Sequence, residues 1–208
     1  MPFSNLGFDQ MLDGLNSSFG SYTPVIAYAS LHTAYSSSGS NELNGGSPAY
    51  ARQAVTWSAA SSGSKASASV AGAFNVPAST TIAYVGLWSA SSSGNFGGMG
   101  PNGGATQYGA TCTNASPGVW TAPGSSYSNG QTVVLFDGAG STIPAAFTVG
   151  TVYYVVSASG ITFSLATTSG GTAINTSGTG AGIVQAVTLE SFGAQGTFTL
   201  SSETLTLV

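Results

Sequence analysis

Thirty glycines, interspersed with Ser and Pro, cut this 208-residue chain into short apolar stretches. With abundant Ser, Thr, Val and aromatic residues, that punctuation favours many short β-strands joined by tight turns. Residues 23–31, 51–58, 66–74 and 81–89 read as strands. Along residues 82–88 both alternating sets are apolar: Ile82, Tyr84, Gly86 and Trp88 on one side, Ala83, Val85 and Leu87 on the other. Such a strand belongs inside a two-layer sandwich or beneath a partner. Near the C-terminal end Phe198, Leu200, Leu205 and Leu207 alternate with Thr and Ser, as in two short half-buried strands.

Residues 91–116 are rich in Gly, Ser and Asn and read as a long loop. A second patterned block follows, with strands expected at 131–136, 151–156, 161–166, 172–175 and 183–189. Within it, Val152, Tyr154 and Val156 oppose Tyr153 and Val155, while Ile161, Phe163 and Leu165 share one face. At the other end, Phe8, Met11, Leu12 and Leu15 follow the i, i+3, i+4, i+7 spacing of a short amphipathic helix, with Ser4 or Asn5 as cap. The expected fold is all-β: an antiparallel β-sandwich with a short N-terminal helix and an inserted small β domain. The base domain takes residues 1–104 plus 189–208, the linker loop 105–118 and the inserted domain 119–188.

Composition limits function. Only Arg52 and Lys65 are basic, charged residues make up 4% of the chain, and the formal net charge is −4. Two cations cannot supply the phosphate contacts that nucleic-acid binding requires, so no nucleic acid is expected. Mean hydropathy of +0.24 argues against disorder. No apolar run approaches the ~20 residues of a membrane helix, and no membrane partner is expected. Residues 1–20 carry Asp9 and Asp13 without Lys or Arg, a poor match to a signal peptide. The single cysteine, Cys112, excludes an intrachain disulfide and a Cys-based zinc site. So weakly charged a surface suits a chain held among copies of itself.

Few residues suggest chemistry. Glu42 and Arg52 flank the Gly45-Gly46 turn and form the candidate structural pair, within the chain or across an interface. His32 is the only imidazole, and no spacing selects a nucleophile and an acid to converge on it. Residues 98–103 match GxGxxG formally, but the dinucleotide reading needs a preceding strand and a following helix, and the composition promises a flexible loop. Asp9 and Asp13 lie one helical turn apart and read as a solvated face. No catalytic residue, cofactor or metal is expected. Tyr35, Tyr108, Trp120 and Tyr127 lie in loop-like sequence and are candidate exposed anchors.

Three groups of residues resemble a tailed-bacteriophage virion structural family. They are Leu31-His32-Thr33-Ala34 with Asn41-Glu42 and Gly45-Gly46, then Tyr50-Ala51-Arg52-Gln53, then Val85-Gly86-Leu87-Trp88 with Gly94-Asn95-Phe96. The ending Gly196-Thr197-Phe198-Thr199-Leu200 with Thr204-Leu205-Thr206-Leu207 is similar too. The block around Phe136-Asp137-Gly138 and Val152-Tyr153-Tyr154-Val155-Val156 resembles a small β module of phage structural proteins. The resemblance implies a non-enzymatic virion component, assembled in the host bacterial cytoplasm. Its expected role is decoration or cementing of the capsid on the head exterior. The alternative is a tail fibre, baseplate or other tail accessory contacting host-surface glycans. Its expected partners are copies of itself and the major capsid protein or tail proteins.

Overall fold

The computed structural model describes residues 26–62, 64–104, 106–138, 140–202 and 204–206. Among them are sixteen β-strands and no helix. They fall into two compact units, one drawn from Met1–Gly100 and Glu190–Val208, the other from Pro101–Leu189.

The first unit is built on a six-stranded sheet. Its strands in chain order are β1 (Tyr28–His32), β2 (Gln53–Trp57), β3 (Ser64–Val70), β6 (Tyr84–Trp88), β7 (Phe96–Pro101) and β16 (Thr204–Thr206). Their spatial order is β16-β3-β2-β1-β6-β7. Two short ladders accompany it: β4 (Phe74–Val76) with β15 (Gly196–Phe198), and β5 (Thr80–Ile82) with β14 (Glu190–Phe192).

The central pair β1–β6 explains why both faces of residues 82–88 are apolar. Its antiparallel register sets Leu31 opposite Val85 and Ala29 opposite Leu87 on one face. Those four join Ile26, Val55, Phe74, Val76 and Ile82 in the core of this unit. On the other face Ser30 meets Gly86, His32 meets Tyr84 and Tyr28 meets Trp88. That second face is also covered: Ser30, His32 and Tyr84 are fully buried. Burial on both faces removes the polar alternation that a half-exposed strand would show.

The second unit is a closed barrel. It contains β8 (Gln107–Cys112), β9 (Trp120–Thr121), β10 (Thr132–Asp137), β11 (Val152–Ser159), β12 (Thr162–Ala166) and β13 (Gly180–Ala186). The ladder runs β10-β11-β12-β9-β8-β13 and back to β10, so no sheet edge is left open. Val133, Leu135, Tyr153, Val155, Phe163, Leu165 and Val184 fill it. The rings of Trp120, Phe147 and Tyr153 meet edge-on in succession, at 5.3 and 5.4 Å between centroids. Such pairs add about 0.5–1.5 kcal/mol each beyond area burial.

The structure therefore corrects the sequence-based fold. Instead of a sandwich with a helix, the described residues form an open sheet with two short ladders and a separate barrel. The helix expected around Phe8–Leu15 lies outside the described residues. Residues 91–116, expected as a loop, supply β7 and β8. The stretch 81–89 is two strands: β5 pairs with β14, whereas β6 pairs with β1. Residues 172–175 are not a strand, yet Ile174 N–H donates to Leu165 O at 2.8 Å. The division of 81–89 is decided by long-range pairing, β5 taking its partner β14 from near the far end of the chain.

Candidate functional site

Both basic side chains of the chain are withdrawn from solvent: Lys65 is 4% exposed and the Arg52 side chain 9%. Arg52 meets Glu42 in a two-pronged ion pair, Nε–H donating to Oε1 at 2.8 Å and Nη2–H to Oε2 at 2.7 Å. Its Nη1 donates to the carbonyls of Ala90 at 3.0 Å and Ser93 at 2.7 Å. The guanidinium also lies 3.6 Å from the centre of the Trp88 ring. Tyr50 Oη donates to Glu42 Oε1 at 3.3 Å and accepts Leu31 N–H at 2.8 Å. One planar cation thus ties residues 42, 88, 90 and 93 together, a geometry that a lysine ammonium cannot reproduce.

A buried polar chain runs beside this clamp. Trp88 Nε1–H donates to Ser30 Oγ at 2.9 Å, and Ser30 Oγ lies 2.7 Å from His32 Nε2. His32 Nδ1 lies 2.9 Å from Ser40 O. A carbonyl only accepts, so Nδ1 carries the proton and Nε2 accepts from the Ser30 hydroxyl. Burial lowers the imidazole pKa below its ordinary 6.5, against the opposing pull of the Ser40 carbonyl and of Glu42. This Ser–His contact has no route to substrate, since both residues are fully buried. Gly86 makes room for it, because a Cβ there would overlap His32 Nε2 and stand 2.6 Å from Ser30 Oγ.

The four aromatic candidates separate. Trp120 and Tyr127 are 0% and 7% exposed and belong to the barrel core, which corrects their reading as exposed anchors. Closure of the barrel turns their rings inward, toward Phe147 and Phe163. Tyr35 is half-buried and leans on Tyr84 at 5.9 Å. Tyr108, also half-buried, meets Tyr127 edge-on at 5.9 Å and lines a cleft in the barrel unit. That cleft holds about 190 Å³ between Tyr108, Tyr127, Thr106, Ser126 and Gln131. The signal that could have revealed Tyr108's strand is local: Tyr108, Ala110 and Cys112 alternate with Gln107, Gly109 and Thr111.

The other sequence candidates find structural places. Residues 98–103 begin on strand β7 and continue into the following turn, not into a helix, so they form neither a dinucleotide loop nor simply a flexible one. Cys112 is buried in the barrel core. Asp137 Oδ1 accepts from Ile143 N–H at 3.0 Å. No cluster of three or more His, Cys, Asp or Glu that could hold a metal occurs among the described residues. Asp9 and Asp13 lie outside them.

Against known families, residues 2–111 match the model described as podophage GP4 fiber I protein gp80. The chain belongs to this podophage fibre family. It is accordingly a phage virion structural protein. No curated protein and no solved structure gives a significant match. The fibre-family match spans the whole Glu42–Arg52–Trp88 clamp and ends at Thr111, within β8. Most of the barrel therefore lies beyond the matched segment.

Proposed function

We propose that the protein is a fibre component on the outside of the virion, attached to the tail and facing the host surface. The observation that carries this reading is the fibre-family match over residues 2–111. The chemistry agrees with it. With both cations buried, the protein presents a neutral-to-acidic, hydroxyl-rich surface. Contacts made by such a surface depend little on salt and suit repeated, shallow packing among copies of the chain and other virion proteins. The Arg52 clamp serves this role by stiffening loops that would otherwise be mobile. No step of catalysis is assigned to any residue. Decoration of the head, the expectation raised from sequence resemblance, draws no support from the family's description.

Quantitative mass spectrometry of purified virions, with gold-labelled antibody against this chain, tests the proposal. A tail-localised label with copies on the order of a few dozen per particle agrees with a symmetric fibre set. Label spread over the head in hundreds of copies would refute it in favour of capsid cementing.

A further inference from the structure

We infer that the barrel cleft is a subsite for one neutral sugar ring. Size is the first reason. At about 190 Å³ the cleft lies below the roughly 300–1,000 Å³ of sites for drug-sized ligands, so it takes a single ring-sized group. The chemistry of its wall is the second. Tyr108 offers a partly exposed aromatic surface, while Thr106, Ser126 and Gln131 bring hydroxyl and amide groups to the same space. A sugar ring presents both matching surfaces, C–H groups for an aromatic ring and hydroxyls for hydrogen bonds. A purely apolar side chain would desolvate the Gln131 amide without replacing its water contacts.

Charge is the third reason, and it selects among sugars. Between residues 101 and 189 there is no Lys, Arg or His, and Asp137 is the one acid. The two cations elsewhere in the chain are buried. No ion pair is on offer to a uronate, a sialic acid or a phosphorylated sugar, whose charge would be desolvated without compensation. The cleft therefore selects uncharged glycans.

The wall is also preformed. Tyr108 rests edge-on against Tyr127, which rests edge-on against Phe163 in the core at 5.3 Å. Tyr127 Oη donates to Val184 O at 3.4 Å. Gln131 is held through its side chain, which accepts Ser128 N–H at 3.3 Å, and through its backbone N–H, which donates to Ser128 O at 3.1 Å. Little ordering is left to be done on binding. So small a contact supports only millimolar affinity for one sugar, which repetition along a fibre would raise through avidity.

The inference deepens the fibre reading and takes its host-facing setting from it. Its test uses the isolated full chain, so it succeeds or fails independently of particle labelling. The probes are methyl glycosides of glucose, galactose and N-acetylglucosamine, with methyl glucuronide as the anionic comparison. Saturation-transfer NMR and amide-shift titration read binding at low and high salt. The expected result is saturation of ring protons of at least one neutral glycoside, amide shifts at Thr106 and Ser126, and no salt dependence. Tyr108→Ala should weaken binding roughly tenfold. Gln131→Leu, at an exposed position, should weaken it roughly two- to tenfold while the thermal unfolding curve stays close to that of the parent. Ile161→Ala, at an exposed turn outside the cleft, should leave it unchanged. Three results would overturn the inference: no neutral glycoside binding at roughly 50 mM, preference for the glucuronide, or binding indifferent to Gln131→Leu. Concentration-dependent self-association lost in Tyr108→Ala would overturn it too, by making the cleft an interface between copies.

Discussion

Replacing Arg52 with alanine removes four hydrogen bonds and a ring contact at one stroke. The Glu42 carboxylate is left behind with its side chain only 19% exposed, and Tyr50 is then its one remaining donor among the described residues. Breaking a buried pair by deleting one partner costs about 3–5 kcal/mol, chiefly through the charge left unpaired. Glu42 retains some water, so the lower end applies, about 3 kcal/mol. At roughly 2–4 °C per kcal/mol for a chain of this size, Tm falls by about 6–12 °C. Urea unfolding followed by tryptophan fluorescence suits the measurement, because Trp88 lies directly under the guanidinium. A double-mutant cycle with Glu42→Gln isolates the pair and should show a coupling of about 1–3 kcal/mol. A loss below about 1 kcal/mol, the range of a solvent-exposed ion pair, would refute the reasoning, as would additivity in the cycle.

Three further outcomes follow from buried groups. Because burial lowers the His32 pKa below its ordinary 6.5, the unfolded chain binds a proton that the folded chain does not. Stability is then complete above about pH 7 and declines as pH falls through 6.5 toward the folded-state pKa, by at most ~1.4 kcal/mol per unit. His32→Gln should remove this slope in urea titrations between about pH 5 and 7, above the ordinary range in which carboxylates titrate. Gly39 has φ of +81°, and a Cβ there would overlap the Trp88 indole and stand 2.8 Å from Phe96 Cδ2. Gly39→Ala should therefore lower stability by about 2–4 kcal/mol in thermal unfolding, combining overpacking with left-handed strain. Burial pushes the Cys112 thiol up to about 11. At pH 8 it should resist alkylation in the folded protein and react only on unfolding, as read by intact mass.

Much of the barrel's strand content was written in period-two alternation. Tyr153 and Val155 face the core while Val152, Tyr154 and Val156 are half-buried. Phe163 and Leu165 likewise point inward, whereas Ile161, on the same parity, sits at the turn and is 42% exposed. Alternation marks which residues share a face but not whether that face closes on itself. Closure came from β8 pairing with β13 on one side and β9 on the other. The glycines and polar residues of 91–116 obscured β8, although Tyr108, Ala110 and Cys112 alternate within it. Two of the four aromatic candidates are placed differently for the same reason: Trp120 and Tyr127 looked loop-borne until closure turned them inward.

By itself the sequence determined the chemical character of this protein. Two cations, many hydroxyls and short alternating stretches allow β layers with an almost uncharged surface, and residues 2–111 match a podophage fibre family. Tertiary structure alone decided that Arg52 lies over Trp88 with Glu42 in its fork, that a Ser30–His32 chain is sealed behind Gly86, and that Tyr108 lines a cleft. Composition and local period are properties of each segment. Ion-pair seating, barrel closure and cleft walls depend on which distant strands find one another, and that is settled only when every buried face and every backbone group is satisfied at once.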